Sequence, residues 1–200
     1  MTARSGTVTV QIYGQKRVGT NAIEALLRRL PVTVLVNERV WKHGYPRPVA
    51  DCHVCIGKAP LAWQYSNMRY TDPPGEETWD IHGYFARENA YLVWCEQRND
   101  AMYVPYEDLL LRPSDRWREL CGFLGEPGRG FSWPGLPPNR MDRNGRETGE
   151  PFDAAFWRGY RYLRRLGPRV VAMVSDCAYG HAALLARLTT ECRAGAGGEA

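Results

Sequence analysis

The chain has 200 residues, of which 44% are hydrophobic and 24% charged, with a formal net charge of +4. These values exclude a disordered or collagen-like chain and suit one domain that buries roughly 70% of its unfolded surface. The net of +4 comes from 26 basic and 22 acidic residues, too even a balance for a nucleic-acid-binding face. No apolar run approaches the roughly 18–20 residues of a membrane span. The stretch 8–12 is interrupted by Thr9 and Gln11, and it is too short for a signal core. The six Cys read as reduced thiols, and a cytoplasmic location is expected.

In chain order, residues 7–13 (TVTVQIY) alternate and are β-branched, which predicts a first strand. Residues 21–30 place Ile23, Leu26, Leu27 and Leu30 on one helical face. Residues 32–36 and 54–57 read as the second and third strands. A helix is expected over 60–70, with Pro60 in its first turn. A longer helix is expected over 83–98, and a fourth strand over 101–105. Residues 114–124 predict a helix with Ser114 as N-cap and Gly125 just past its end. Residues 125–151 are Gly-, Pro- and Arg-rich loop, and 152–166 and 169–188 read as C-terminal helices. The Arg run 158, 161, 164 and 165 reads as a solvated face. Strands alternating with helices predict an α/β, P-loop-NTPase-like three-layer sandwich. Its mostly parallel central sheet has about four to five strands. Residues 1–193 form the single domain and 194–200 a flexible tail. In such folds the ligand meets the carboxyl ends of the strands.

Cys52-His53-Val54-Cys55 has half the spacing of a zinc site, but no second Cys pair matches it and the segment reads as a buried strand. No metal is expected. The first strand ends in a turn where Gly14 and Gly19 have the spacing of a phosphate loop. The two residues that follow are Thr20 and Asn21, so the Lys and the magnesium-binding hydroxyl of a Walker loop are replaced. Lys16 and Arg17 lie on the loop instead. Amides at a helix N-terminus favour an anion there. Lys58, at the end of the third strand, precedes Ser66 by eight residues. The two could clamp one phosphate. The chain's basic residues include only three Lys, at 16, 42 and 58, against 23 Arg.

The segment KAPLAWQYS, Lys58 through Ser66, resembles the RNPxxxxxS segment of the sulfotransferases that use 3′-phosphoadenosine 5′-phosphosulfate (PAPS). Arg17-Val18-Gly19-Thr20-Asn21 resembles their 5′-phosphosulfate loop, with Val18 in place of a Ser. Tyr106-Glu107-Asp108-Leu109-Leu110, then Pro113 and Phe123-Leu124-Gly125, is similar to their YEDL…P…FLG block. The likeness runs from about Thr7 to Gly125, in the family's order. It implies that Lys58 and Ser66 hold the 3′-phosphate and that the loop residues Arg17, Gly19, Thr20 and Asn21 hold the 5′ end; Lys16, a cation on the same loop, is expected to reach the same anion. It also places Tyr106 near the nucleotide. Arg143-Asn144-Gly145 partly echoes the family's RKGxxG segment, with Gly149 one residue late. The cofactor implied is PAPS, with adenosine 3′,5′-bisphosphate as product.

Sulfuryl transfer needs a base for the acceptor proton and cations for charge on the leaving phosphate. Trp41-Lys42-His43-Gly44 follows the second strand, similar to the place where many family members carry a Lys and a catalytic His. His43 is the candidate base, with Glu38 as competitor. Arg17 would neutralise the leaving group, and Lys42 would help it do so or orient the acceptor. The acceptor would be a hydroxyl or amine on a small molecule, carbohydrate, lipid or peptide. Two alternatives stand beside this reading: another P-loop transferase or kinase, and a non-catalytic nucleotide-binding module. Trp63 and Tyr65 read as core rather than as a base-stacking pair.

Overall fold

The computed structural model describes residues 7–16, 18–37, 40–68, 81–127 and 130–132, with isolated positions at 155, 159, 166, 172 and 174. Arg17, Glu38, Arg143, the Arg run from 158 to 165, the C-terminal helices and the tail lie outside the described residues.

Four strands form one sheet: β1 (Thr9–Tyr13), β2 (Thr33–Leu35), β3 (Cys52–Gly57) and β4 (Ala101–Pro105). All neighbours are parallel, in the spatial order β2-β1-β3-β4. The register sets Val10 against Val34 on one side and Cys52 on the other. The helices are α1 (Thr20–Leu27), α2 (Pro60–Met68), α3 (Ile81–Glu96), α4 (Tyr106–Leu111) and α5 (Pro113–Phe123).

The two-residue period of a strand divides the core. Val10, Ile12, Cys52, Val54, Ile56 and Val104 enter one cluster, which they share with Ile23, Leu26 and Leu27 of α1. Tyr13 and Cys55 enter a second, packed with Tyr91 and Cys95 of α3. Helices therefore cover both faces, and the expected α/β three-layer sandwich with a parallel sheet is what forms. Ile12 has no exposed surface, so its truncation to Ala would cost about 2–5 kcal/mol. Cys52 and Cys55 fall on opposite faces because their separation is odd, so they do not form one ligand pair. Among the described residues no His, Cys, Asp and Glu cluster suits a metal ion.

Several boundaries differ from expectation. The first helix ends at Leu27 rather than Leu30, because Pro31 disfavours helical geometry at the residue before it. α5 begins at Pro113, with Arg112 as N-cap and no side-chain cap. Ser114 is thus inside the first turn, since proline's fixed φ and missing N–H suit the first helical position. Gly125 does end this helix, at φ 72. The Glu126 amide donates to the Cys121 carbonyl and the Gly125 amide to the Gly122 carbonyl, the paired bonds of a Schellman stop. The short helix α4 was not expected; it takes the YEDLLL segment directly from β4.

Candidate functional site

From β1 the chain moves to β2 on one side, and it later returns to β3 on the other. The strand order thus reverses between β1 and β3, and the crevice beyond their carboxyl ends is the ligand position of such sheets. The Gly14–Gly19 turn leaves β1 there, and Lys58 leaves β3 there.

The turn is fastened from several directions. The Gly14 amide donates to the Lys42 carbonyl at 2.9 Å, and the Trp63 indole N–H donates to the Lys16 carbonyl at 3.0 Å. The Gln15 amide side chain donates to the Tyr84 carbonyl at 2.9 Å and to Glu88 Oε1 at 2.8 Å. A Cβ on Gly14 would lie 2.7 Å from the Ile56 carbonyl oxygen, so only glycine lets the turn pass this close to β3. Gly19 caps α1 at φ 103, in the left-handed region that glycine enters without penalty. Val18 has no exposed surface and belongs to the main core cluster. Its side chain anchors the turn from below, which explains an apolar residue where the resembled loop has Ser. Thr20 is buried and Asn21 exposed at the start of α1, whose first amides have no partner within the helix.

Lys58 and Ser66 come together. The Lys58 ammonium donates to Ser66 Oγ at 2.8 Å, and both residues are only 5% exposed. Ser66 Oγ in turn donates to the Ala62 carbonyl at 3.0 Å. The ammonium stands 4.8 Å from the centre of the Tyr106 ring, a cation–π distance. The same ring lies 2.5 Å from where a Gly19 Cβ would be. Tyr106 therefore joins the Lys58 pair to the N-terminus of α1. Glu107 Oε1 accepts from the Ala59 amide at 2.9 Å. Burial raises the Glu107 carboxyl, while this amide and Lys58 hold it down. Asp108 binds Arg112 at 3.1 Å and also Arg116. The YED triplet thus supports the ammonium, the start of α2 and α5 in turn.

His43 approaches the turn from the other side. Its Nδ1 lies 2.6 Å from the Gly14 carbonyl oxygen. A carbonyl only accepts, so Nδ1 carries the proton and Nε2 keeps the lone pair. Burial lowers the His43 pKa, against the Gly14 hydrogen bond that raises it, and Lys42 and Lys16 lower it further. The surrounding segment is held by Tyr91, whose hydroxyl donates to the Gly44 carbonyl at 3.1 Å. Lys42 is engaged with α1: its ammonium donates to Asn21 Oδ1 at 2.9 Å and lies 3.6 Å from Glu24 Oε2. The Lys16 ammonium is 5.8 Å from the centre of the half-exposed Trp41 ring.

His53 is fully buried and structural. Its Nε2 accepts from the Val49 and Ala50 amides at 3.2 and 3.3 Å. Trp63 is core, as expected, packed 4.5 Å from the Tyr84 ring, yet its indole N–H also fastens the turn. Sequence reasoning missed Gln15, Tyr84 and Glu88. A signal existed for Glu88: it falls three residues after Phe85 and three before Tyr91, a carboxylate on the apolar face of its helix.

No protein-family profile matches the sequence, and no curated protein matches it. Among solved structures, the chain is similar to mouse sulfotransferase SULT7A1 complexed with PAP. Identity is 14% and the TM-score 0.50, with 96% of this chain and 87% of that chain covered. The sulfotransferase domain of the Synechococcus PCC 7002 olefin synthase is similar at 17% identity and a TM-score of 0.41. That match covers 80% of this chain and 64% of the domain. The first of these likenesses runs along nearly the whole chain and agrees with the parallel sheet and its loop-bearing switch point: this protein has the sulfotransferase fold.

Proposed function

We propose that this protein is a PAPS-dependent sulfotransferase of the cytoplasm, passing a sulfuryl group to a hydroxyl or amine acceptor. The observation that carries the reading is the buried Lys58 ammonium, 2.8 Å from Ser66 Oγ and beside the Tyr106–Gly19 contact. A buried cation with a hydroxyl beside it, next to the amides of a helix N-terminus, fits a nucleotide with phosphates at two positions. When bound, PAPS supplies an activated sulfuryl group on a phosphate leaving group.

The chain's own residues then divide the work. Lys58 and Ser66 bind the 3′-phosphate. The turn from Gly14 to Gly19, with Thr20 and Asn21, offers amides to the 5′ end. Arg17 and Lys16 add positive charge where the leaving phosphate oxygen gains negative charge. His43 takes the acceptor proton at Nε2, and the Gly14 carbonyl holds the opposite nitrogen in the donor form. Lys42 orients the first turn of α1 through Asn21 and Glu24. Arg143 is assigned to the nucleotide by resemblance alone.

Calorimetry with adenosine 3′,5′-bisphosphate and with Mg·ATP, followed by transfer from sulfur-labelled PAPS to an acceptor panel, tests the reading. Tight bisphosphate binding with label transfer is expected. Binding of ATP alone would indicate another P-loop transferase or kinase. Bisphosphate binding with no transfer to any acceptor would indicate a nucleotide-binding module.

A further inference from the structure

Beneath the switch point lies a buried polar cluster that none of the roles above uses. Glu88, on α3, is 0% exposed. Its Oε1 accepts from Gln15 on the turn after β1 at 2.8 Å, and its Oε2 is 2.6 Å from the Tyr103 hydroxyl on β4. One turn earlier on the same helix, the Tyr84 hydroxyl donates to the Lys58 carbonyl. The end of β3 passes directly over the carboxyl. A Cβ on Gly57 would fall 1.7 Å from the Tyr103 hydroxyl and 2.3 Å from Glu88 Oε2. One carboxyl group therefore touches the segment that leaves β1 and the last residue of β3, the two strands of the switch point.

We propose that Glu88 is the positioning residue of the nucleotide site, setting the Gly14–Gly19 turn at its height above the Lys58 end of β3 through Gln15 and Tyr103. The geometry favours this over a packing role. An apolar side chain would fill the same volume, but it would leave the Gln15 amide and the Tyr103 hydroxyl buried without this partner. The carboxyl is also tuned. Burial pushes it up to about 7, against the Tyr103 and Gln15 hydrogen bonds, with Glu107 raising it further. The groups facing it are Gln15 from the turn, Tyr103 from β4, Cys55 and Gly57 from β3, Glu107 from α4, and Tyr84 and Tyr91 from its own helix. An anion bound above favours the protonated carboxyl, so affinity falls as pH rises through neutrality.

The first test needs no ligand: hydrogen exchange of the turn amides in the full chain, with α5 as internal reference. Glu88→Ala is expected to exchange about tenfold faster at residues 14–19, with α5 unchanged, and Glu88→Gln to restore the wild-type rate. If Glu88→Ala does not fold, Gln15→Leu carries the same expectation. Unchanged turn exchange in a folded variant, or loss in α5 of equal size, overturns the proposal. The second test rests on the sulfotransferase reading. Bisphosphate affinity is expected to weaken about tenfold in Glu88→Ala. The wild type should lose affinity between pH 6.5 and 8, relative to a flatter Glu88→Gln. Identical pH profiles overturn the link to the site. If the wild type binds no bisphosphate but the exchange result holds, the nucleotide reading fails and the positioning of the turn stands.

Discussion

Replacing Glu88 by Gln should make the protein more resistant to alkaline destabilisation. Glu88 is a carboxyl with no solvent contact, pushed up to about 7 from an ordinary 4.5 chiefly by burial. The native state therefore holds this proton more tightly than the unfolded chain does. The associated stability is fully present below pH 4.5 and is lost as pH rises through about 7. At about 1.36 kcal/mol per pH unit, the whole loss is on the order of 3 kcal/mol, and about 2.5 kcal/mol of it falls between pH 5 and 8.5. Gln keeps the shape, accepts from Gln15 and donates to Tyr103, but it does not ionise. Urea unfolding of both proteins at half-unit pH steps measures the difference. The variant should gain on the wild type by about 2.5 kcal/mol across that range, or roughly 5–10 °C in Tm for a domain of this size. Titrating groups that do not act on Glu88, such as His43 and His53, occur in both proteins and cancel. Parallel stability curves would refute the reasoning, because they would mean that Glu88 titrates alike folded and unfolded.

His43→Ala should lower kcat by about 10²–10⁴-fold while changing bisphosphate affinity less than about tenfold; equal losses in assay and calorimetry would make His43 structural. Because burial lowers its pKa, the acid limb of the wild-type rate should lie below pH 6.5, and a limb above that value would point to another base. Ser66→Ala should weaken adenosine 3′,5′-bisphosphate about tenfold but leave adenosine 5′-phosphate nearly unchanged. Loss for both ligands would remove Ser66 from the 3′ position. Lys58→Arg should fold but lose about 1–3 kcal/mol in denaturant titration, since the guanidinium must fit a 5%-exposed site against Tyr106. No loss would mean that the site is looser than these contacts imply.

The parallel sheet was legible because its strands are short, β-branched and separated by helical periodicity. The Lys58–Ser66 pairing was legible because a strand end and a face two turns into the next helix are brought together by one local connection. The turn between Gly14 and Gly19 was legible from glycine spacing. What was hidden is long-range. Nothing near Gln15 in sequence announces Glu88, 73 residues later, and nothing near Lys58 announces Tyr84. The start of α5 was misplaced because Ser114 is a good cap by composition, while Pro113 decides the position by its fixed backbone angle. Val18 looked like a missing hydroxyl from sequence, but in three dimensions it is a core residue, because the turn's inner side faces the sheet.

The three lysines illustrate how a shared residue type separates into different physical roles. All three lie near the carboxyl ends of the strands, yet their surroundings differ. Lys16 is exposed and rests near an indole face, so most of its field is screened by water. Lys42 is held at the first turn of α1 by Asn21 and by Glu24, whose carboxylate offsets its charge. Lys58 is buried against a hydroxyl and an aromatic ring, where the lower local dielectric strengthens its attraction for an anion. The nearby Glu107 carboxyl is itself raised by burial, which weakens the compensation it offers Lys58. Of the three, Lys58 is therefore the one whose environment gives an incoming phosphate the largest electrostatic return. Under the proposed function, the second cation comes from the turn, where the sequence offers Arg17 beside Lys16.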